Sequence, residues 1–165
     1  MLDVVLRKAT DEDIPLLVEM RLALQKHLEV RDPEAPRFSP RGLRLVMPEI
    51  SARLRKSNCY IAVAETKTGE PVGMMMAEAV SDSYRVPSSY GHIHWLYIVE
   101  DARMNGIGRK LVKLACRFFE KHDIEQVTMG YVYKNTEAEK FWAALGFKPT
   151  VVHTSANLRN LLDTL

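Results

Sequence analysis

The chain has 165 residues, 47% hydrophobic and 27% charged, a composition that fits one globular domain, residues 1–165, with a sizeable core. Lys and Arg number 23 against 21 Asp and Glu, a net charge of +2, which excludes nucleic-acid binding driven by bulk charge. No apolar run approaches a membrane span, and the two cysteines read as buried thiols rather than a disulfide framework.

The opening "MLDVVLRKAT" lacks a signal peptide's apolar core, so a cytoplasmic location is expected. Leu2 to Ala9 read as a strand. Thr10 then caps a helix, with Asp11, Glu12 and Asp13 at its positive end. Ile14, Leu17, Val18, Leu22 and Leu24 hold helical spacing to about Leu28. A proline-rich loop from Glu29 to Gly42 follows. Ser39-Pro40 opens a second helix, which Pro48 must kink or split. Its apolar stripe is Leu43, Val46, Ile50 and Leu54, which leaves its arginines as a solvated face.

"CYIAVAE" and "EPVGMMMAEAV" flank "TKTG" and read as a hairpin. Residues 81–91 form a loop, and "HIHWLYIV" is the next strand. Residues 106–122 are a helix, "EQVTMGYVY" a strand, and "NTEAEKFWAAL" a helix stopped at Gly146. "KPTVVHTSANL" reads as a late strand. The order β-α-α-β-β-β-α-β-α-β is that of an α/β fold with one internal hairpin.

The turn "ARMNGIGRK" joins a strand to a helix. A helix N-terminus exposes unpaired N–H groups and partial positive charge. Gly106 and Gly108 let a ligand approach the backbone, and Arg103 and Arg109 add charge. A phosphate or pyrophosphate ligand is expected. The nucleoside-triphosphate loop pattern is absent, and a dinucleotide fingerprint would need glycine where Leu111 stands.

Arg103-x-x-Gly106-x-Gly108 is followed, after a further strand, by Asn135, Ala138, Phe141, Trp142, Gly146 and Phe147. In order and spacing these two motifs resemble the Gcn5-related N-acetyltransferase superfamily. The resemblance implies a mixed, mostly antiparallel sheet of six to seven strands with about four helices, splayed between its fourth and fifth strands. It implies acetyl-CoA as co-substrate and an amine acceptor, and leaves a homodimer open. By the same resemblance the turn from Met104 through Asn105, Gly106, Ile107, Gly108 and Arg109 to Lys110 holds the pyrophosphate. Leu96, Tyr97 and Ile98 offer their backbone to the pantetheine arm and the thioester carbonyl. Asn135 lies beside the pantetheine or thiol while also serving as a helix N-cap.

Direct transfer needs a neutral amine, so a general base must take its proton. His92 and His94 alternate along one strand face. They occupy positions where branches of the family carry glutamate, and histidine titrates near neutrality. They read equally as ordinary strand histidines, and as the start of a zinc site only with a third ligand; no metal is expected. Trp142 stands where the family often has an acidic tyrosine, and an indole N–H is no such acid. Tyr133, with Tyr131 beside it, is the expected substitute; water is the other. Glu78 and Asp82 read as solvated strand-end acids at the edge of an acceptor cleft. The walls of that cleft, as the resemblance places them, mix Glu29, Asp32, Glu34 and Asp82 with Arg31, Arg37 and Arg85, which announces no polyamine, aminoglycoside or peptide; a primary amine on a small molecule is the leading expectation, with a protein N-terminus or lysine also open. A CoA-binding sensor with weak or no catalysis is the alternative.

Overall fold

The computed structural model describes residues 2–31 and 36–165. Asp32 and Glu34 lie outside the described residues. The chain divides into two compact units, Met1–Lys134 and Asn135–Leu165, taken one at a time below.

The first unit is a five-stranded sheet in the order β1-β2-β3-β4-β5 with three helices. Its strands are β1 (Val4–Lys8), β2 (Cys59–Thr66), β3 (Pro71–Ser81), β4 (Ser89–Ile98) and β5 (Val127–Met129); its helices are α1 (Ile14–Arg31), α2 (Pro40–Leu54) and α3 (Ile107–Glu120). The first four strands pair antiparallel, and β5 joins β4 in parallel. The expected hairpin is present, turning at Lys67–Gly69.

Helix α1 starts from a fixed point. Thr10 and Asp13 form a capping box, and Arg7 of β1 grips Asp13 through both guanidinium nitrogens at 2.7 and 2.8 Å. Arg7 also bonds Glu65 of β2, so one arginine ties the sheet to the helix entry. The Asp13 carboxyl is held down at about 2, chiefly by Arg7. Helix α2 runs unbroken through Pro48, so the expected split does not occur. Ser39 caps it by accepting from the Gly42 N–H at 3.0 Å, and Val46 and Ile50 are buried. Leu43, expected in the stripe, is half exposed.

The sheet is packed on both faces. Leu17 and Met20 of α1 and Val46 and Ile50 of α2 meet Ile61, Val63, Met74, Met76 and Trp95 on one side. On the other, Gly91 lets α3 approach closely, since a Cβ there would lie 2.8 Å from the Phe119 ring. Met74, Met75 and Met76 are all fully buried, as strand alternation into two packed faces requires.

The second unit holds α4 (Thr136–Ala143) and α5 (Leu158–Thr164). The described residues therefore carry five strands and five α-helices, not six to seven strands and four helices. The difference lies at the C-terminal end. "KPTVVHTSANL" forms no strand, and Val151 and Val152 are exposed; without a ladder partner its apolar pair cannot hold extended structure. Asn157 instead caps α5, accepting from Arg159 and Asn160 N–H at 3.0 and 3.3 Å.

Candidate active site

The turn after β4 is shaped by its own backbone. Met104 and Gly106 are left-handed, at φ 60° and 74°, a region costly for most L-residues but free for glycine. A Cβ on Gly106 would meet nothing within 4 Å, so that side of the turn is open to a ligand. Asn105 braces the loop: its Nδ2 donates to Ala102 and Arg103 carbonyls, and its Oδ1 accepts from Leu2 N–H at 2.8 Å. The Arg103 Nε donates to the Ile98 carbonyl at 3.1 Å. The first bond of α3 runs from Lys110 N–H to the Gly106 carbonyl. The N–H groups of Ile107, Gly108 and Arg109 precede it and have no carbonyl within the helix to meet. Arg109 and Lys110 extend exposed side chains beside them. A pyrophosphate fits this cradle in charge and in access.

Beside the turn, two strands part. Pairing of β4 with β5 covers only Gly91–Val127, His92–Thr128 and Ile93–Met129, while β4 continues to Ile98. Strand β5 was expected from Glu125 to Tyr133 and is only three residues long. The cause is visible in β4. Trp95 pairs with Met76 and Ile93 with Ala77, so His94 is an extra residue, a β-bulge. A bulge kinks its strand and interrupts the ladder, and β5 stops there. Val99 N–H bonds Val72 in β3. Alternation then turns Tyr97 N–H toward β3, and Leu96 and Ile98 N–H toward the edge that β5 leaves.

The bulge also sets the face of the imidazoles. His92 lies opposite Glu78 on β3, and Trp95 joins the α1/α2 side of the core. His94 Nε2 meets Glu78 Oε2 at 2.9 Å, and Arg53 of α2 donates to the same oxygen at 2.8 Å. Burial, followed by the Arg53 charge, lowers the His94 pKa; the Glu78 hydrogen bond opposes this. Burial and the neighbouring His94 lower that of His92. Burial alone would raise Glu78, but hydrogen bonds from Arg53 and His94 outweigh it and leave the carboxyl below its usual range. At neutral pH the site therefore holds two neutral imidazoles and an ionised carboxylate.

Hydrogen bonding assigns each tautomer. A carboxylate only accepts, so His94 carries its proton on Nε2 and its basic lone pair on Nδ1. Thr128 donates its hydroxyl to the Gly91 carbonyl at 3.2 Å and so accepts from His92 Nδ1 at 2.8 Å. The lone pair of His92 is thus on Nε2. The two rings stand edge to face, 4.5 Å apart.

Three of these residues carry more than their sequence context shows. Glu78 is no idle strand-end acid, and Arg53 does not belong to a solvated face. Thr128 went unnoticed. Their roles appear only once the β3–β4 register and the seat of α2 are known, and no local pattern encodes either.

The remaining candidates separate. Tyr131 and Tyr133 lie beyond β5, not within it, because the strand ends at Met129. Tyr133 is 78% exposed, with the Lys134 ammonium 5.8 Å from its ring centre. In the second unit, Asn135 caps α4, its Oδ1 accepting from Ala138 N–H at 3.1 Å. Trp142 is buried there, edge to face with Phe141 and Phe147 at 5.0 and 5.1 Å. Among the described residues, no three His, Cys, Asp or Glu side chains are grouped to hold a metal ion. No helix among them is long and apolar enough to cross a membrane.

Comparison with known proteins agrees with the fold. The fold is shared with a GCN5-related N-acetyltransferase from Ralstonia eutropha (18% identity, TM-score 0.74, 94% of this chain and 99% of that one). It is shared also with aminoglycoside 6'-N-acetyltransferase AAC(6')-Ih from Acinetobacter baumannii (15%, 0.70, 94% and 99%). A tetramutant of the BH1408 protein from Bacillus halodurans overlays at TM-score 0.80 with 16% identity, covering 93% and 99% of the two chains. No curated protein matches the sequence significantly. The sequence model of the acetyltransferase (GNAT) family matches residues 24–147, a span that takes in the parted strands, the glycine turn and the helix after Asn135; the chain belongs to that family.

Proposed function

We propose that the protein is an acetyl-CoA-dependent N-acetyltransferase, one domain over residues 1–165, that acetylates a primary amine on a small molecule by direct transfer. The observation that carries this is the His94–Glu78–Arg53 chain beside the point where β4 and β5 part. When bound, acetyl-CoA supplies an activated acetyl thioester. The first-turn N–H groups of α3, with Arg103, Arg109 and Lys110, hold its pyrophosphate. The outward N–H groups of Leu96 and Ile98 face the vacated edge, where they can stabilise an oxyanion. Tyr97 turns its own N–H to β3 and shapes that edge from behind.

His94 Nδ1 takes the proton from the acceptor amine, directly or through water. Glu78 holds the ring in the tautomer that leaves Nδ1 free, and Arg53 keeps Glu78 ionised. His92, positioned by Thr128, is a second acceptor beside it. Tyr133 or solvent returns a proton to the departing thiolate; the exposure of Tyr133 favours solvent. Aminoglycosides, the substrates named for one relative of the same fold, are one class of small amine to test.

The experiment is CoA thiol release across an amine panel. Release with at least one amine, lost in His94→Ala, supports the reading. Trp142 favours a second reading, a CoA-binding sensor, because it leaves no phenol at its position. Acetyl-CoA binding with no release for any amine would establish that reading instead.

A further inference from the structure

Arg21 of α1 is a half-buried cation that the chemistry above does not use. Its Cζ lies 4.7 Å from the centre of the Phe38 ring and 5.3 Å from that of Trp95. Arg53 reaches the same Trp95 ring at 5.9 Å. The two arginines differ in their partners. Arg53 is met by Glu78 at 2.8 Å and Glu49 at 3.0 Å. Arg21 makes no hydrogen bond or ion pair among the described residues; Glu49 reaches it only through space.

A half-buried charge without a partner carries part of the cost of desolvation. The two rings offset part of that cost by attracting the cation. They cannot serve its N–H donors, which lie in the guanidinium plane and number five. Those donors form a planar fork that matches a carboxylate. The fork is also close to the proposed chemistry. Trp95 follows His94 directly in β4, and the bulge at His94 puts both side chains on the α1/α2 face of the sheet.

We infer that the acceptor is an amine that also carries a carboxylate, with its amine at His94 and its carboxylate on Arg21. This rests on the acetyltransferase reading and narrows its substrate class.

The test uses matched acceptors that differ in one group: phenylalanine against phenethylamine, and β-alanine against ethylamine. Phosphoethanolamine against ethanolamine covers a phosphate. The wild-type protein should favour the carboxylate member of each pair by about 10- to 100-fold in kcat/KM, as expected for hydrogen bonds to a charged group. Arg21→Gln should remove that preference through KM and leave the decarboxylated member and the KM for acetyl-CoA unchanged. Arg21→Lys, which keeps the charge but not the fork, should restore only part of it.

If no amine turns over, the acetyltransferase reading fails separately. Calorimetric binding of the same pairs then tests Arg21 alone: tighter binding of the carboxylate members, lost in Arg21→Gln, supports the subsite. Equal use or equal binding of both members overturns it. So does an equal loss for both members in Arg21→Gln, which would make Arg21 structural. A preference confined to phosphoethanolamine replaces the carboxylate with a phosphate. A raised KM for acetyl-CoA assigns Arg21 to the co-substrate.

Discussion

The turn from Ile98 to Lys110 is built mostly from its own residues: Gly106 supplies the left-handed bend, Asn105 braces neighbouring carbonyls, and Arg103 reaches back to Ile98. The imidazole cluster is built the other way. His94 needs Glu78 from β3, Glu78 needs Arg53 from α2, and His92 needs Thr128 from β5. One region presents backbone N–H groups whose placement depends on local conformation. The other presents side-chain nitrogens whose tautomers depend on distant partners. A backbone site tolerates most changes of side chain around it, whereas a relay is weakened by a change in any member.

The contrast breaks most sharply at Gly108. Gly108→Glu puts bulk and negative charge where the pyrophosphate should lie, so acetyl-CoA should no longer raise the melting temperature. A wild-type thermal shift in this variant would place the phosphate elsewhere.

The relay should fail by degrees. His94→Ala should lower kcat by about 10²–10⁴-fold, with partial recovery at high pH as solvent deprotonates the amine. His92→Ala should lose less, because His92 lacks the carboxylate partner. Equal rates for both variants and the wild type would make the pair structural.

Glu78→Gln keeps the ring in place and removes only the charge behind it, so a smaller loss is expected, about 10- to 100-fold. The pH profile adds a sign. Activity rises as His94 loses its proton, with a midpoint below the usual 6.5 because burial and Arg53 disfavour the imidazolium. Glu78→Gln withdraws the one opposing contact from β3, so the midpoint should fall further. Arg53→Met removes a repelling charge and should move it up. Shifts in the same direction for both variants would refute the relay.

Asp13 belongs to neither region and separates stability from catalysis. Its carboxyl is depressed from 3.8 to about 2 in the fold. That stabilisation is complete above the unfolded value and is lost as pH falls through the folded one. Asp13→Asn should therefore cost about 2 kcal/mol at pH 7, with the deficit closing between roughly pH 4 and pH 2. Urea unfolding across that range checks it, and kcat should not change.

The same contrast explains what the sequence could reveal. Gly-x-Gly after a strand, Asn135 before a helix and the hairpin at "TKTG" are local signals, and each appears where it was expected. Glu78 looked like any strand-end acid, because a single residue carries no mark of its cross-strand neighbour. Arg53 sits on the same helix as the solvated Arg41 and Arg44, and only its rotation toward the sheet distinguishes it. The late strand was an error of another kind. Two valines suggested extended chain, while Asn157 and the leucines after it carried the helix signal. The shortened β5 depends on the bulge at His94, which composition does not announce.

That bulge has a consequence for anyone transferring residues between relatives. Upstream of His94, even positions of β4 face the α1/α2 side; downstream, odd positions do, as Trp95 shows. The strand thus keeps two frames, and an alignment drawn through it without a gap will hand a side chain to the wrong face. Grafts onto β4 must be counted from their own side of His94, and deleting this one position would merge the two frames into one regular alternation while leaving Trp95 and the residues after it on their present faces.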